Sequence, residues 1–471
     1  MDRLGAPPST VDNSNRISRE LKREVGLFSA AILVVANMVG TGILTTSGFI
    51  IEEVGDPAAL LWCWIVGGFF ALSGALCYGE LGTLFPLAGG EYVYLRQSFG
   101  PTMAFLSGWI SLVVGFSAPI AAAAIAFSTY FFRAFSVPPA DATAPFFSIF
   151  FVVVSPVVLL ACATIIFFSL VHTHSLWFGS RVQNVLTIFK VLLIGAFITA
   201  GLCLGDKTMS LLPALPRIDT IVSSHFAGAL IFVAFAYSGW NAVGYIGSEI
   251  KNPGRNIPLA LLIGTTVVIA LYLLLNLVYL YALPAAAMSG AVEIGEIAAA
   301  ALFGEQTSRY VAGAIAIGLL SVISAMILAG PRVYYAMAHD GVFFKLFGKV
   351  TEKRRTPVYS IMLQGFVSIA MVLTASFGKL LYYIGFTLSL FAMLTVCGLM
   401  ILRKRQPGSH AAYRTWGYPI TPLLFIAGNL WIISHSIIHK PMIALYGFGT
   451  IALGLAACAL FSQKSHPSLC P

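Results

Sequence analysis

Charge is what this sequence has least of. Of 471 residues, 27 are Lys or Arg and 18 are Asp or Glu, 10% in all, where a soluble domain carries roughly a quarter. With 58% apolar residues and a mean hydropathy of +0.90, that shortage excludes a water-soluble fold, a disordered chain and a nucleic-acid module. Seven cysteines (63, 77, 162, 203, 397, 458 and 470) show no CxxC spacing, and they read as small apolar helix residues rather than metal ligands or disulfides. A phosphate-cradling GxxxxGK[ST] is also missing, which leaves the chain no ATP site of that kind. Nor are there the alternating ten-residue strands of an outer-membrane barrel. What recurs instead is apolar runs of about 20 residues or more, each able to cross a ~30 Å hydrocarbon core as a helix. The first follows some 24 polar residues. It is too long for a signal-peptide core and is read as a retained span.

Twelve spans are expected: 26–52, 57–85, 100–132, 147–171, 176–205, 221–249, 257–282, 307–338, 356–376, 380–402, 417–437 and 441–462. Their connections are short, so the job site must lie inside the bundle. Placing the N-terminus in the cytoplasm puts 18 Lys and Arg in inner segments and 6 in outer ones, the bias that membrane insertion favours. Both termini are then cytoplasmic, and the net charge of +9 reports topology rather than an acidic partner. The expected location is the plasma (inner) membrane.

Two spans are interrupted. The first reads Asn37-Met38-Val39-Gly40-Thr41-Gly42-Ile43 in its middle, and the sixth reads Phe235-Ala236-Tyr237-Ser238-Gly239-Trp240-Asn241. Glycine weakens a helix where the bilayer offers no replacement hydrogen bonds. Interruptions five helices apart suit two five-helix repeats of opposite topology, whose broken helices meet at the midplane. Half-helix N-termini offer free N–H groups and positive dipole ends, which suit a carboxylate. Unwound carbonyls suit an ammonium. A site with both polarities fits a zwitterion, and an α-amino acid is the obvious one.

These residues resemble a known family. Val39–Ile43 is similar to the first helix of amino acid–polyamine–organocation transporters. Cys77-Tyr78-Gly79-Glu80-Leu81-Gly82, with Pro86 and Gly89-Gly90-Glu91-Tyr92, resembles the L-type amino acid transporter branch. So do Phe235–Asn241 with Glu249, Asn252-Pro253 and Asn256-Ile257-Pro258, and Tyr413-Arg414-Thr415-Trp416-Gly417-Tyr418-Pro419. The resemblance implies an all-α integral membrane protein of the LeuT type, with twelve helices in a 5+5 inverted repeat and two more at the C-terminus. It implies repeats over 25–205 and 206–402, added helices over 403–463, and tails at 1–24 and 464–471. It also implies alternating access to a central amino acid site. There Gly40, Thr41, Gly42 and Ile43 would present amides to the carboxylate. Val39, Phe235, Ala236 and Ser238 would offer carbonyls to the ammonium, Phe235 would also form a lid, and Gly239 would keep the unwound segment close. Animal members of the branch carry a cysteine between the third and fourth helices that joins an accessory glycoprotein. The corresponding stretch here, Arg133 to Pro145, has none, so a stand-alone, bacterial-type permease without a disulfide-linked heavy subunit is expected.

Lys190 lies midway along the fifth span, where a cation costs at least ~2.5 kcal/mol. Either it ties helices together, or its ammonium bonds the broken first helix; in related transporters the matching lysine stands in for sodium. Glu80 and Glu249, near the cytoplasmic ends of the second and sixth spans, are candidate inner gates or partners for nearby cations. His435 and His439 have metalloprotease spacing, but Ser436 stands where the general base would be. No cofactor or metal is expected. The reading is sodium-independent exchange of neutral L-amino acids, neutral because no mid-membrane Asp or Glu is evident. A proton-coupled amino acid or polyamine symporter is the alternative within transport, and a polytopic membrane enzyme the alternative outside it.

Overall fold

A computed structural model describes residues 23–149, 152–174, 176–204, 218–349, 356–406 and 411–465. Of the expected tails, 1–24 and 464–471, residues 1–22 and 466–471 lie outside the described part. Among the described residues, nine helices are long and apolar enough to cross a membrane, and a tenth candidate is a bent pair. The chain is an all-α polytopic membrane protein.

The bent pair is α1 (Leu27–Met38) and α2 (Thr41–Val54), which meet at 42°. Next come α3 (Pro57–Leu84), the short α4 (Glu91–Phe99), α5 (Pro101–Ala134), α6 (Pro156–His174) and α7 (Leu176–Leu204). The sixth run holds α8 (Ser224–Ala236) and the four-residue α9 (Ala242–Tyr245), followed by α10 (Pro253–Ala282) and α11 (Ile294–Phe303). The remainder is α12 (Glu305–Ala329), α13 (Pro331–His339), α14 (Val358–Thr374), α15 (Phe377–Arg405), α16 (Ile420–His439) and α17 (Pro441–Ser465).

Proline punctuates these helices because its fixed φ and missing N–H cost nothing in the first turn. It starts α3, α5, α6, α10, α13 and α17. At α3 the Asp56 carboxylate also accepts from the Ala59 amide at 2.9 Å, a cap contributing about 1 kcal/mol. Inside α5, Pro119 cannot donate to the preceding turn, and the helix runs as a π-helix over Ser111–Ser117 just before it. Such widened turns often face functional cavities, and Ser111, Gly115 and Phe116 do so here.

One expectation needs correction. The sequence predicts a fourth span over 147–171, yet Phe147–Ile149 and Val152–Val154 pair as antiparallel strands, β1 and β2, and the helix starts only at Pro156. Aromatic and β-branched residues fill that stretch, and hydropathy alone cannot tell a short apolar strand from helix. The helix is set by Pro156.

Helices α1, α2, α3, α8 and α10 pack together as one group, while α5, α6, α7, α12 and α14 form another. One end of the first group is zipped by backbone. The amides of Glu24 and Val25 both donate to the Glu249 carbonyl at 3.0 Å, and Lys251 donates back to Val25 at 2.9 Å. At the opposite end, Phe49 stacks on Phe232 at 5.4 Å and Phe232 meets Tyr382 at 4.4 Å. The Tyr382 hydroxyl and the Lys440 ammonium both reach the Glu53 carboxylate.

Candidate functional site

A cavity of about 1300 Å³ lies between the two helix groups. It runs from Phe28, Glu249 and Arg332 to the non-helical stretch 237–241. Beyond that stretch the aromatic layer around Phe49 and Phe232 fills the interior. The lining reaches Phe28 and Glu249 near the end that carries residue 25, and includes none of Phe49, Phe232 or Glu53 at the other end.

The cavity's blind end is where the broken helices meet. Val39 and Gly40 leave the helical conformation, with Val39 at ψ 88° and Gly40 at φ −131°, ψ −151°. The first-turn amides of α2 belong to Thr41, Gly42 and Ile43, and no side chain caps them. Amides in a first helical turn have no intrahelical acceptor, so this terminus is a ready anion site. In the other broken span, α8 stops at Ala236 and 237–241 form turns. Gly239 has φ +94°, and a Cβ there would lie 2.8 Å from the Asn37 carbonyl oxygen. Only glycine meets both conditions. Gly42 is as tightly placed, since a Cβ on it would sit 2.4 Å from Ala236 Cα.

An inventory of the carbonyls shows which remain to be used. Val35 accepts from the Val39 amide at 2.9 Å, Ala36 from Lys190 Nζ at 3.1 Å, and Met38 from the Tyr272 hydroxyl at 2.6 Å. Phe235 accepts from the Ser238 amide at 3.0 Å, and Ala236 from Tyr272 at 3.0 Å. A hydroxyl has one hydrogen, so Tyr272 shares it between the two broken ends and couples them. Among the described residues the carbonyls of Val39 and Ser238 have no such partner. They are the acceptors left for a ligand ammonium.

The residues singled out in the sequence fall in distinct places. Ser238 and Gly239 line the cavity. Val39, Gly40, Thr41, Gly42, Ile43, Phe235 and Ala236 are buried just past its blind end, packed against one another. Lys190, 1% exposed, sits on the α1 terminus. Glu249 lines the cavity mouth, but Glu80 does not. Its carboxylate is held by Arg403, at 2.8 Å from Nε and 2.6 Å from Nη2, and by the Thr415 amide and hydroxyl at 2.7 Å each. That geometry fastens helices together rather than gating a path.

Three residues of the site carried no assigned role in the sequence. Tyr272 sits in a run of apolar residues and reads as core. Glu91 belongs to the Gly-Gly-Glu-Tyr motif, yet the loop before α4 is what carries it to the cavity wall. Arg332 lies beside the break between α12 and α13, which the Gly330-Pro331 pair could have signalled.

The chain is similar to known proteins over most of its length. The sequence model of a family described as amino acid permease matches residues 25–457. The serine/threonine exchanger SteT of Bacillus subtilis is 29% identical over 90% of this chain and 93% of its own. The b(0,+)-type amino acid transporter 1 of Mus musculus is 30% identical, covering 89% and 84%. The large neutral amino acids transporter small subunit 2 of Homo sapiens is 28% identical, covering 96% and 82%.

Proposed function

Because the chain belongs to the amino acid permease family, and is an amino acid transporter rather than an enzyme, we propose that it exchanges neutral L-amino acids by alternating access and without sodium. The observation that carries this reading is the junction of the two broken helices. The uncapped α2 terminus receives the carboxylate, and the carbonyls of Val39 and Ser238 receive the ammonium. Gly40, Thr41, Gly42 and Ile43 supply the amides, and Gly239 lets the two strands of backbone approach. Phe235 and Ala236 act as packed support, their carbonyls being engaged already.

Sodium independence is supported by Lys190. Its side-chain nitrogen donates to the Ala36 carbonyl, one turn before the break, and so occupies the helix end that a coupling cation would otherwise serve. Exchange, rather than net uptake, follows the name of the relative from Bacillus subtilis. We read α1–α2 as the first span, α8–α9 as the sixth and α14 as the ninth, twelve in all. The most extensive helix contacts join α3 with α10 and α5 with α12. In that count they pair the second span with the seventh and the third with the eighth, as an inverted repeat over 25–205 and 206–402 would. With residue 25 on the cytoplasmic side of the plasma membrane, a cavity reaching that end is the inward-facing state. The stretch Arg133 to Pro145 has no cysteine to bridge to a second subunit, which supports the reading of a stand-alone carrier.

Proteoliposomes test the reading. Labelled neutral amino acid is expected to enter only vesicles preloaded with unlabelled amino acid, at the same rate with or without a sodium gradient. Concentrative uptake into empty vesicles driven by protons would make the protein a symporter, and a requirement for sodium would overturn the role given to Lys190.

A further inference from the structure

The described cavity wall carries three charged residues, Glu91, Glu249 and Arg332. Arg332 is attracted by Glu249 and donates to the Leu328 carbonyl of the preceding turn. Glu91 is the charge left over. It is 8% exposed and forms no salt bridge among the described residues. Its partners are neutral: Oε1 accepts from the Tyr78 hydroxyl at 2.6 Å and from Asn241 Nδ2 at 2.9 Å, and Oε2 receives neither bond. A buried carboxylate without a cation is costly, and one that faces a cavity can take its cation from a ligand. Being the first residue of α4 favours its anionic form.

The surroundings also suit a cation. The Tyr245 ring covers Gly90, its nearest carbon 2.9 Å from where a Cβ would stand, and meets Phe116 edge-on at 6.0 Å. Both aromatics line the cavity with Glu91. Aromatic faces beside a carboxylate recognise ammonium and guanidinium groups. Asn241 links Glu91 to the turn that includes Ser238, three residues earlier, a chain distance of at most about 10 Å. We propose that Glu91, walled by Tyr245 and Phe116, is a subsite for the cationic end of a substrate side chain, so that the carrier also takes basic amino acids. The proposal rests on the amino acid site described above and adds a substrate class to it.

Burial pushes the Glu91 carboxyl above its usual range, against the two hydrogen bonds that lower it. The titratable groups facing it are Tyr78 from α3, Tyr94 from α4 and Tyr245 from α9, with Glu249 and Arg332 elsewhere on the wall. As pH falls the carboxylate gains its proton at a higher pH than an ordinary Glu, and the attraction for a cation disappears. Affinity for lysine therefore falls on acidification, while affinity for norleucine, its uncharged analogue, does not.

Thermal-shift titration of the purified full-length protein with lysine and with norleucine reads this without requiring transport. The expected result is that the wild type binds both, and that Glu91→Gln weakens lysine relative to norleucine by roughly tenfold or more. A wild type that does not bind lysine, or a Gln variant that weakens both ligands equally, would overturn the subsite. If the variant does not fold, the wild-type pH series decides, and parallel loss of lysine and norleucine affinity sinks the proposal. Lysine binding retained in a protein that fails to exchange neutral amino acids would instead refute the proposed function and spare the subsite.

Discussion

Gly42→Val is expected to abolish amino acid uptake in proteoliposomes. A Cβ on Gly42 would lie 2.4 Å from Ala236 Cα and 2.6 Å from Ala236 Cβ, whereas carbon atoms pack at about 3.5–4.0 Å. Helices α2 and α8 would have to separate by an ångström or more to admit it. That movement is resisted, because Phe232 of α8 is already wedged between Phe49 and Tyr382. Overpacking of this kind costs about 3 kcal/mol or more, equivalent to roughly a hundredfold loss of a binding-competent state. The valine would also cover the first-turn amides that receive the carboxylate. Gly195→Val is the control, since nothing lies within 4 Å of a Cβ there and the same exchange on α7 should leave uptake unchanged. A well-folded Gly42→Val protein with undiminished uptake would remove the carboxylate cradle from the account.

The second large effect is on stability. Arg403 grips Glu80 with two parallel hydrogen bonds and lies over the Tyr418 ring at 3.8 Å, so α3, α15 and the segment before α16 are held at one point. Arg403→Ala leaves a carboxylate that is 3% exposed with only Thr415 as partner. Breaking a buried pair on one side costs about 3–5 kcal/mol. The lower end applies here, because 21% of the Arg403 side chain remains exposed and water screens part of the loss. Arg403→Lys should recover little, since a lysine can neither bond bidentately nor stack flat on the ring. The double variant Glu80→Gln, Arg403→Met should be more stable than Arg403→Ala, because no buried charge is left unpaired. Thermal unfolding in detergent reads all three, and an unchanged midpoint for Arg403→Ala would show that Glu80 needs no partner.

How far the sequence could be read depends on whether a feature is local. The long spans were legible because some 20 apolar residues have few other uses. Both helix breaks were legible because Gly40, Gly42 and Gly239 stand where a bilayer helix tolerates weakness least. The strands at 147–154 were not, since an apolar run carries no sign of its backbone conformation until Pro156 marks the helix start. Contacts between distant segments were hidden altogether. Glu80 is 323 residues from Arg403, and Glu91 is 150 from Asn241. The expectation of neutral substrates shows the consequence. It relied on the absence of an acid within the spans, whereas Glu91 reaches the cavity wall from the short α4 between two of them.

That an amino acid binds at the unwound turn of the sixth span is the central claim, and alkylation of Ser238→Cys measures it most directly. Among the described residues no cysteine lines the cavity; the exposed Cys203 and Cys470, outside the described residues, would be replaced by serine. A polar thiol reagent should then label position 238, and a transported neutral amino acid should slow the labelling. With the amino acid at ten times its dissociation constant, mass action sets the protection at about tenfold. A labelling rate that does not change while the same protein exchanges that amino acid would place the substrate elsewhere and contradict the account.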